Sequence, residues 1–131
     1  MNKLGRMIIL VNDYDEAFAF YEQAFGFKKL VDREESGQRF LHLGLPGQDD
    51  TDTGLWFLKA DTPEQKEKIG NQTTPHPALV LYTDNVTQAL RQAEQAGAEA
   101  MGEIMDTPEH QAVHVKDLYG NIIILVQLSQ E

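Results

Sequence analysis

The spacing of apolar residues divides the chain into two similar halves. Residues 8–27 align with residues 79–98 at an offset of 71 positions. The alignment places Asp13 on Asp84, and a glycine follows 13 residues later in both halves. In each half a short apolar run leads into a helical pattern, and glycine at its end suits the left-handed conformation that stops a helix. The pattern indicates an internal duplication.

Each half contains one amphipathic helix whose apolar stripe needs a sheet to cover it. The first helix is predicted to begin after Asp13, with Glu16 as the second member of a capping box. An acidic cap at Asp84 is predicted for the second helix. The stripe residues are Tyr14, Ala17, Phe18, Tyr21, Ala24 and Phe25 in the first helix, and Val86, Ala89, Leu90, Ala93 and Ala96 in the second.

The other apolar runs predict strands, so that each half has the order βαβββ. Beyond the opening strand of each half, they are Lys28–Glu34, Gln38–Leu45 and Leu55–Lys59, then Ala98–Ile104, Ala112–Lys116 and Ile122–Leu128. We predict an α+β fold in which tandem βαβββ repeats form a curved eight-stranded mixed sheet. This sheet makes an open barrel or cup with its helices on the outer face.

The chain is predicted to be a single domain over residues 1–131. Half one covers about residues 5–60 and half two about 78–128. The polar, proline-bracketed stretch 61–77 is predicted to connect them, with a short helical turn at 64–68.

The strand Ile122–Leu128 opens with five consecutive aliphatic residues, which predicts burial on both of its faces. Side chains alternate along a strand. Ile123 and Leu125 are therefore predicted to face the helix side. Ile122, Ile124 and Val126 are predicted to face the concave side of the sheet, the interior of the cup.

Composition and charge exclude several functions. The net charge is −10, which disfavours nucleic acid and anionic membranes as partners. The chain has no cysteine, so disulfides, thiolate metal sites and a cysteine nucleophile are excluded. The apolar run near the N-terminus, residues 7–11, is too short for a signal peptide or a membrane span, which leaves the cytoplasm as the expected location.

Two motifs resemble the vicinal oxygen chelate superfamily, which includes glyoxalase I, bleomycin-resistance proteins and extradiol dioxygenases. The first is VNDYDEAFAFYEQAFGFKKL at residues 11–30, and the second is HVKDLYGNIIILVQ at 114–127. Leu118 stands where the second motif usually has proline. The resemblance covers nearly the whole chain outside the connector, and it implies the predicted fold. It leaves the function open, because such folds serve lyases, transferases, oxygenases and binding proteins.

The resemblance also implies where a divalent metal would be held. By distance from the motifs, the four ligand positions fall on Arg6, Trp56, Ala78 and Ile124. Divalent ions of this chemistry take imidazole or oxygen donors. None of the four side chains is such a donor, so the inherited metal site is predicted to be lost. No cofactor is expected.

The remaining side chains suggest a binding site. Trp56 offers a stacking surface for a planar or cationic ligand, and Arg6 an anchor for an anionic group. His42 and His114 are candidate hydrogen-bonding groups, and Tyr82 is a candidate lining residue. Each also has an ordinary structural interpretation. No catalytic residue is assigned, since neither serine has a histidine obviously near it.

Three functions are compatible with these observations. The first is a metal-free protein that binds a small organic molecule, as bleomycin-resistance proteins do. The second is a glyoxalase-like lyase or isomerase, or a dioxygenase-like enzyme, with a displaced metal site at His42, His76 and His114, helped by Glu103. The third is a structural or interaction module whose cup is filled by its own side chains. The resemblance implies a homodimer, and whether the chain is an enzyme stays open.

Overall fold

The computed structural model describes residues 1–129, which form two similar units of one strand, one helix and further strands, joined by a short helix. The first unit contains β1, α1, β2, β3 and β4, at Arg6–Val11, Tyr14–Phe25, Lys28–Glu35, Gln38–Gly44 and Gly54–Lys59. The connecting helix α2 spans Pro63–Glu67. The second unit contains β5, α3, β6, β7, β8 and β9, at Leu79–Tyr82, Val86–Gln95, Glu99–Ala100, Met105–Asp106, His110–Lys116 and Ile122–Leu128.

The strands form two open mixed sheets. Sheet A has the order β1-β4-β3-β2, and sheet B has the order β5-β9-β8-β6 with β7 also paired to β8. In each sheet the first strand of the unit runs parallel to the last, and the other pairs are antiparallel. The α+β class, the mixed open sheets and the tandem arrangement are confirmed. The described strands form two sheets of four and five strands rather than a single eight-stranded sheet, because the second unit has one additional short strand.

Two local predictions for the second unit were wrong. The stretch Ala98–Ile104 was predicted as one strand, but it contains only β6, and β7 follows after a turn in which Gly102 has a φ of +143°. The cap of α3 is Asn85 rather than Asp84, because the Asn85 side chain accepts from the backbone of Gln88. The short helical turn predicted in the connector is present as α2.

Both helices pack with one face of each sheet into a shared core. The side of each sheet that meets the helices is called its closed face, and the other side its open face. In sheet A the closed face comprises Ile9, Val11, Leu41, Leu43, Leu55 and Phe57, and in sheet B it includes Leu79, Val113, Val115, Ile123 and Leu125. Because these residues share one buried cluster with α1 and α3, the two halves have a common core and the open faces point away from it.

The turn 117–121 fastens the two halves together. Asp117 is 5% exposed, and its Oδ1 accepts hydrogen bonds from the backbone of Tyr119, Gly120 and Asn121. Its Oδ2 accepts from the Asn121 amide and from the hydroxyl of Tyr21 on α1, at 2.6 Å. Burial, and next the adjacent Asp117 carboxylate, raise the pKa of Tyr21 well above its usual 10.0. The turn motif therefore stabilises the contact between the second unit and helix α1 of the first.

A second link between the halves involves Glu16. Asp13 caps α1 as predicted, since its side chain accepts from the backbone of Glu16. The Glu16 carboxylate does not complete a capping box but accepts from the Tyr119 hydroxyl at 2.9 Å. Tyr119 thus reaches across from the turn to α1.

The outer edge of β1 is covered by a side chain from the connector. Gln72 accepts a hydrogen bond from the backbone N–H of Leu10 at 2.7 Å and donates one to the carbonyl of Ile8 at 3.1 Å. One amide group thus takes up a donor and an acceptor that would otherwise be free on a sheet edge.

Within residues 1–129, no helix is long and apolar enough to cross a membrane.

Candidate functional site

The open face of sheet A is aromatic at its centre. The strand pairing places Ile8, Trp56, His42 and Val31 side by side in one row across β1, β4, β3 and β2. Phe40 lies in the next row and stacks on Trp56, with ring centroids 5.9 Å apart. His42 packs edge-on against the other side of Trp56 at 5.3 Å. These three rings form a continuous surface over the middle of the sheet.

Polar nitrogens are enclosed within this aromatic surface. Trp56 Nε1 and both ring nitrogens of His42 are buried without a hydrogen-bond partner among the described residues. Burial, and next the nearby Arg6 and Arg33 cations, lower the pKa of His42 below its usual 6.5. The lowered pKa favours the neutral form of His42. The three packed rings partly fill this open face.

Arg6 is engaged by the protein itself. Its guanidinium donates to the carbonyl oxygens of Asp50 and Asp52 at 2.7 Å and 2.6 Å, and to that of Gly5 at 2.9 Å. It thereby fixes the acidic loop 49–53 against the start of β1. Most of the hydrogen-bonding capacity of the guanidinium is used by these carbonyl oxygens, so Arg6 is less suited than predicted to anchor an anionic ligand.

The open face of sheet B carries a groove of about 460 Å³. Its central row runs from Tyr82 on β5 through Val126 and Ala112 to Met105 on β7. Ala112 and Val126 are 8% and 9% exposed, whereas Tyr82 and Met105 are 71% and 63% exposed. The small, buried pair therefore forms a floor, and the two long side chains stand as the rim.

Two histidines border this floor along β8. His114 pairs with Ile124 on one side of Ala112, and His110 pairs with Leu128 on the other. His110, Ala112 and His114 follow one another at intervals of two residues along β8, so their side chains share the open face. The hydrogen bonds that described residues make with His110 and His114 run through their main chains, which leaves both imidazoles facing the groove.

The structure brings some of the predicted site residues together. Tyr82 and His114 line the same groove, and Ile124 lines it as well. Trp56 and His42 lie in contact with each other on the other sheet. The groove contains no residue of sheet A, so one chain presents the predicted binding residues on two surfaces.

The open faces provide no set of donors for a divalent metal at the positions that the superfamily would use. On β1 and β4 the open-face residues are Arg6, Ile8, Leu10, Gly54, Trp56 and Leu58. On β5 and β9 the paired open-face residues are Val80, Tyr82, Ile124 and Val126. None of these side chains, nor that of Ala78 before β5, is imidazole or carboxylate, and a slip of register by two residues would add only His76. A divalent ion does not fit here.

A displaced metal site also lacks a cluster. Within residues 1–129 no three His, Asp or Glu side chains lie close enough to hold an ion. His42, His76, His114 and Glu103, which the alternative hypothesis combined, do not converge.

Several residues of the two open faces were not singled out from the sequence. Ala112 and Met105 were missed, although alternation along 110–114 places a small residue between two histidines on one face. Phe40 was also missed, and its alternation with His42 was the available signal. Met105 had no usable signal, because β7 has only two residues.

Comparisons with known proteins agree with this fold. The family model described as the Glyoxalase/Bleomycin resistance protein/Dioxygenase superfamily matches residues 3–125. An uncharacterised protein of Shewanella frigidimarina (strain NCIMB 400) is 30% identical over 125 residues, which cover 94% of this chain and 91% of that protein.

Solved structures show the same similarity. TnmS3, an antibiotic binding protein from Streptomyces sp. CB03234, is 26% identical with a TM-score of 0.77, and the match covers 98% of both chains. A glyoxalase/bleomycin resistance protein from the same Streptomyces strain is 25% identical with a TM-score of 0.70, over 94% of this chain and 98% of that one.

Proposed function

We propose that this chain, which belongs to the glyoxalase/bleomycin resistance protein/dioxygenase superfamily, is a metal-free protein that binds one small organic molecule in the groove of sheet B. The groove itself carries the proposal. It has a buried apolar floor, an exposed rim and two histidines, and its volume lies in the range of small-molecule sites. That the similar protein TnmS3 is an antibiotic binding protein supports this class of function.

The mechanism is stoichiometric capture. An apolar ligand body that covers Ala112, Val126 and Ile124 removes water from these side chains and from itself, which contributes roughly 25 cal/mol for each Å² of apolar area buried. Tyr82 and Met105 at the rim close against the sides of the ligand. The histidines supply hydrogen bonds that orient it. No bond in the ligand is made or broken.

The binding unit is proposed to be a homodimer. The exposed apolar side chains on the open faces include Ile8 on sheet A and Tyr82, Met105 and Leu128 on sheet B. A second copy would cover them and bring the aromatic surface around Trp56 over a groove. The complete site would then contain Trp56 and His42 of one chain, with Tyr82 and His114 of the other.

Metal content tests the metal-free part of the proposal. Tag-free protein is exchanged against nickel, zinc, manganese and iron and analysed by elemental mass spectrometry. We expect far less than one ion per chain. About one tightly bound ion per chain, lost when His42, His76 and His114 are replaced together, would overturn the proposal and restore the enzyme hypothesis.

Ligand binding is tested by a thermal-shift screen of aromatic and apolar compounds against the wild type and Ala112→Leu. The added isobutyl side chain fills the floor of the groove, so we expect compounds that stabilise the wild type to lose their effect on the variant. Hits that stabilise both proteins equally bind elsewhere, and would contradict the proposed site.

Mixing two inactive variants tests whether the site is shared between chains. Trp56→Ala removes the aromatic surface, and Ala112→Leu blocks the groove. A mixed dimer of these chains contains one site built only from unaltered surfaces if each site spans two chains. We therefore expect the mixture to recover binding after subunit exchange. Failure to recover, with mixed dimers verified by native mass spectrometry, would contradict a shared site. If Trp56→Ala by itself binds as tightly as the wild type, each site lies within one chain.

A further inference from the structure

We infer that the ligand of the sheet B groove is an uncharged aromatic molecule with a hydrogen-bonding group at each end, lying along β8 between His110 and His114. This inference rests on the proposed binding function and specifies the chemical class of the ligand. It follows from the shape of the floor, from the placement of the two imidazoles and from the absence of charge in the lining.

The shape favours a flat body. The floor is formed by Ala112 and Val126, whose short side chains lie below the rim formed by Tyr82 and Met105. An aromatic ring placed on Ala112 would contact Val126 beneath it and the Tyr82 ring beside it. A thin, rigid body fills such a space at a low cost in conformational entropy.

The placement of the histidines defines the two ends. His110 and His114 are four residues apart on β8, which separates their Cα atoms by about 13 Å along a strand. A neutral imidazole offers one donor and one acceptor, so each histidine can pair with a hydroxyl group. A ligand that extends over Ala112 in both directions meets one imidazole at each end.

The lining selects against a charged ligand. The residues that line the groove in the described part of the chain include no Asp, Glu, Lys or Arg. An ionised group placed against these residues would lose water without gaining an opposite charge from them, and this desolvation is costly. Neutral phenolic or alcoholic ends are therefore preferred over carboxylates or ammonium groups.

Two phenols test the inference by isothermal titration calorimetry. 4,4′-Dihydroxybiphenyl has a hydroxyl group at each end, and 4-hydroxybiphenyl lacks one of them. Because a net hydrogen bond is worth roughly a factor of three to ten in affinity, we expect the diphenol to bind about three- to tenfold more tightly. Biphenyl-4,4′-dicarboxylate, which has the same body with charged ends, is expected to bind more weakly than either phenol.

Single substitutions identify the partner of each hydroxyl group. His110→Leu or His114→Leu should lower the affinity of the diphenol to about that of the monophenol. Either variant should leave the monophenol within about twofold, since it can turn to use the other histidine. His76→Leu, a histidine outside the groove, is the matched control and should change neither affinity.

The outcomes separate this inference from the proposed function. If both phenols bind the wild type equally and Ala112→Leu prevents their binding, the ligand class is wrong and the binding function stands. The inference also fails if neither phenol binds, while the function is tested separately by the compound screen and the mixed dimers. If both phenols bind Ala112→Leu as tightly as the wild type, they occupy another surface and the assignment of the groove fails as well.

Discussion

Replacing Tyr21 with phenylalanine tests whether the contact between the two halves holds the fold together. Tyr21 is fully buried, and its hydroxyl group donates to the Asp117 carboxylate at 2.6 Å. The variant removes one oxygen atom and keeps the ring, which packs against Phe25, Phe27 and Phe57. The aromatic packing is retained, so the measured change reports on the hydrogen bond.

The expected loss follows from the partners of Asp117. Removal of the Tyr21 hydroxyl leaves Oδ2 with one donor, the Asn121 amide, while Oδ1 keeps three backbone donors. A hydrogen bond to a charged group contributes about 1.5–3 kcal/mol. We therefore expect Tyr21→Phe to lower the free energy of unfolding by about 2 kcal/mol, and the melting temperature by roughly 6–10 °C for a domain of this size.

Urea unfolding at pH 7, followed by circular dichroism at fixed protein concentration, gives this free energy directly. The control is Tyr119→Phe, which removes a hydroxyl group paired with exposed Glu16. It should cost about 1 kcal/mol or less, as exposed polar pairs do. If Tyr21→Phe costs no more than this control, or stabilises the protein, the turn does not fasten the halves in the manner described.

Three further predictions concern other parts of the structure. Gly26 and Gly70 share a φ of +79°, but of these two only Gly70 is placed so that an added Cβ would overlap a carbonyl oxygen, that of Tyr119. In urea unfolding, Gly26→Ala should lower the free energy of unfolding by about 1–2 kcal/mol, and Gly70→Ala should lower it clearly more. Equal losses would contradict the close approach of Gly70 to Tyr119. The lowered pKa of His42 means that the unfolded state binds more protons below pH 6.5, so this contribution to stability is present above that pH and is lost as the pH falls through the folded-state pKa. Between pH 7.5 and 5.5 the wild type should lose more stability than His42→Phe, and an equal loss would refute the assignment. Val80, Ile124 and His114 lie in one row, so combining Val80→His with Ile124→Glu should create a zinc site that elemental analysis detects and that the single variants and the wild type lack.

The fold could be predicted from the sequence because its signals are local and repeated. The helical stripe after Asp13 and the alternation in Ile122–Leu128 each depend on near neighbours, and the duplication supplied every pattern twice. Ile123 and Leu125 are 0% and 2% exposed on the closed face, as predicted. Ala98–Ile104 was mispredicted because its strand pattern is interrupted by Gly102, whose positive φ turns the chain between β6 and β7.

The site was predicted less completely, because its geometry depends on pairing between strands distant in sequence. The loss of the metal ligand at Ile124 could be inferred from a single strand. The groove could not, since its floor combines Ala112 and Val126, which become neighbours only through the pairing of β8 with β9. The hydrogen bonds from Arg6 to main-chain carbonyls could not be predicted either, because no sequence pattern marks which loop carbonyl will accept a hydrogen bond.

Gln72 also bears on how copies of this chain can assemble. An unprotected edge strand is a template to which further strands can add, and repeated addition leads to fibres. A strand that approached β1 would first have to displace the Gln72 amide from both Leu10 and Ile8. Growth of sheet A through the β1 edge is therefore opposed from within the chain, so a strand of a second copy would have to add at another edge.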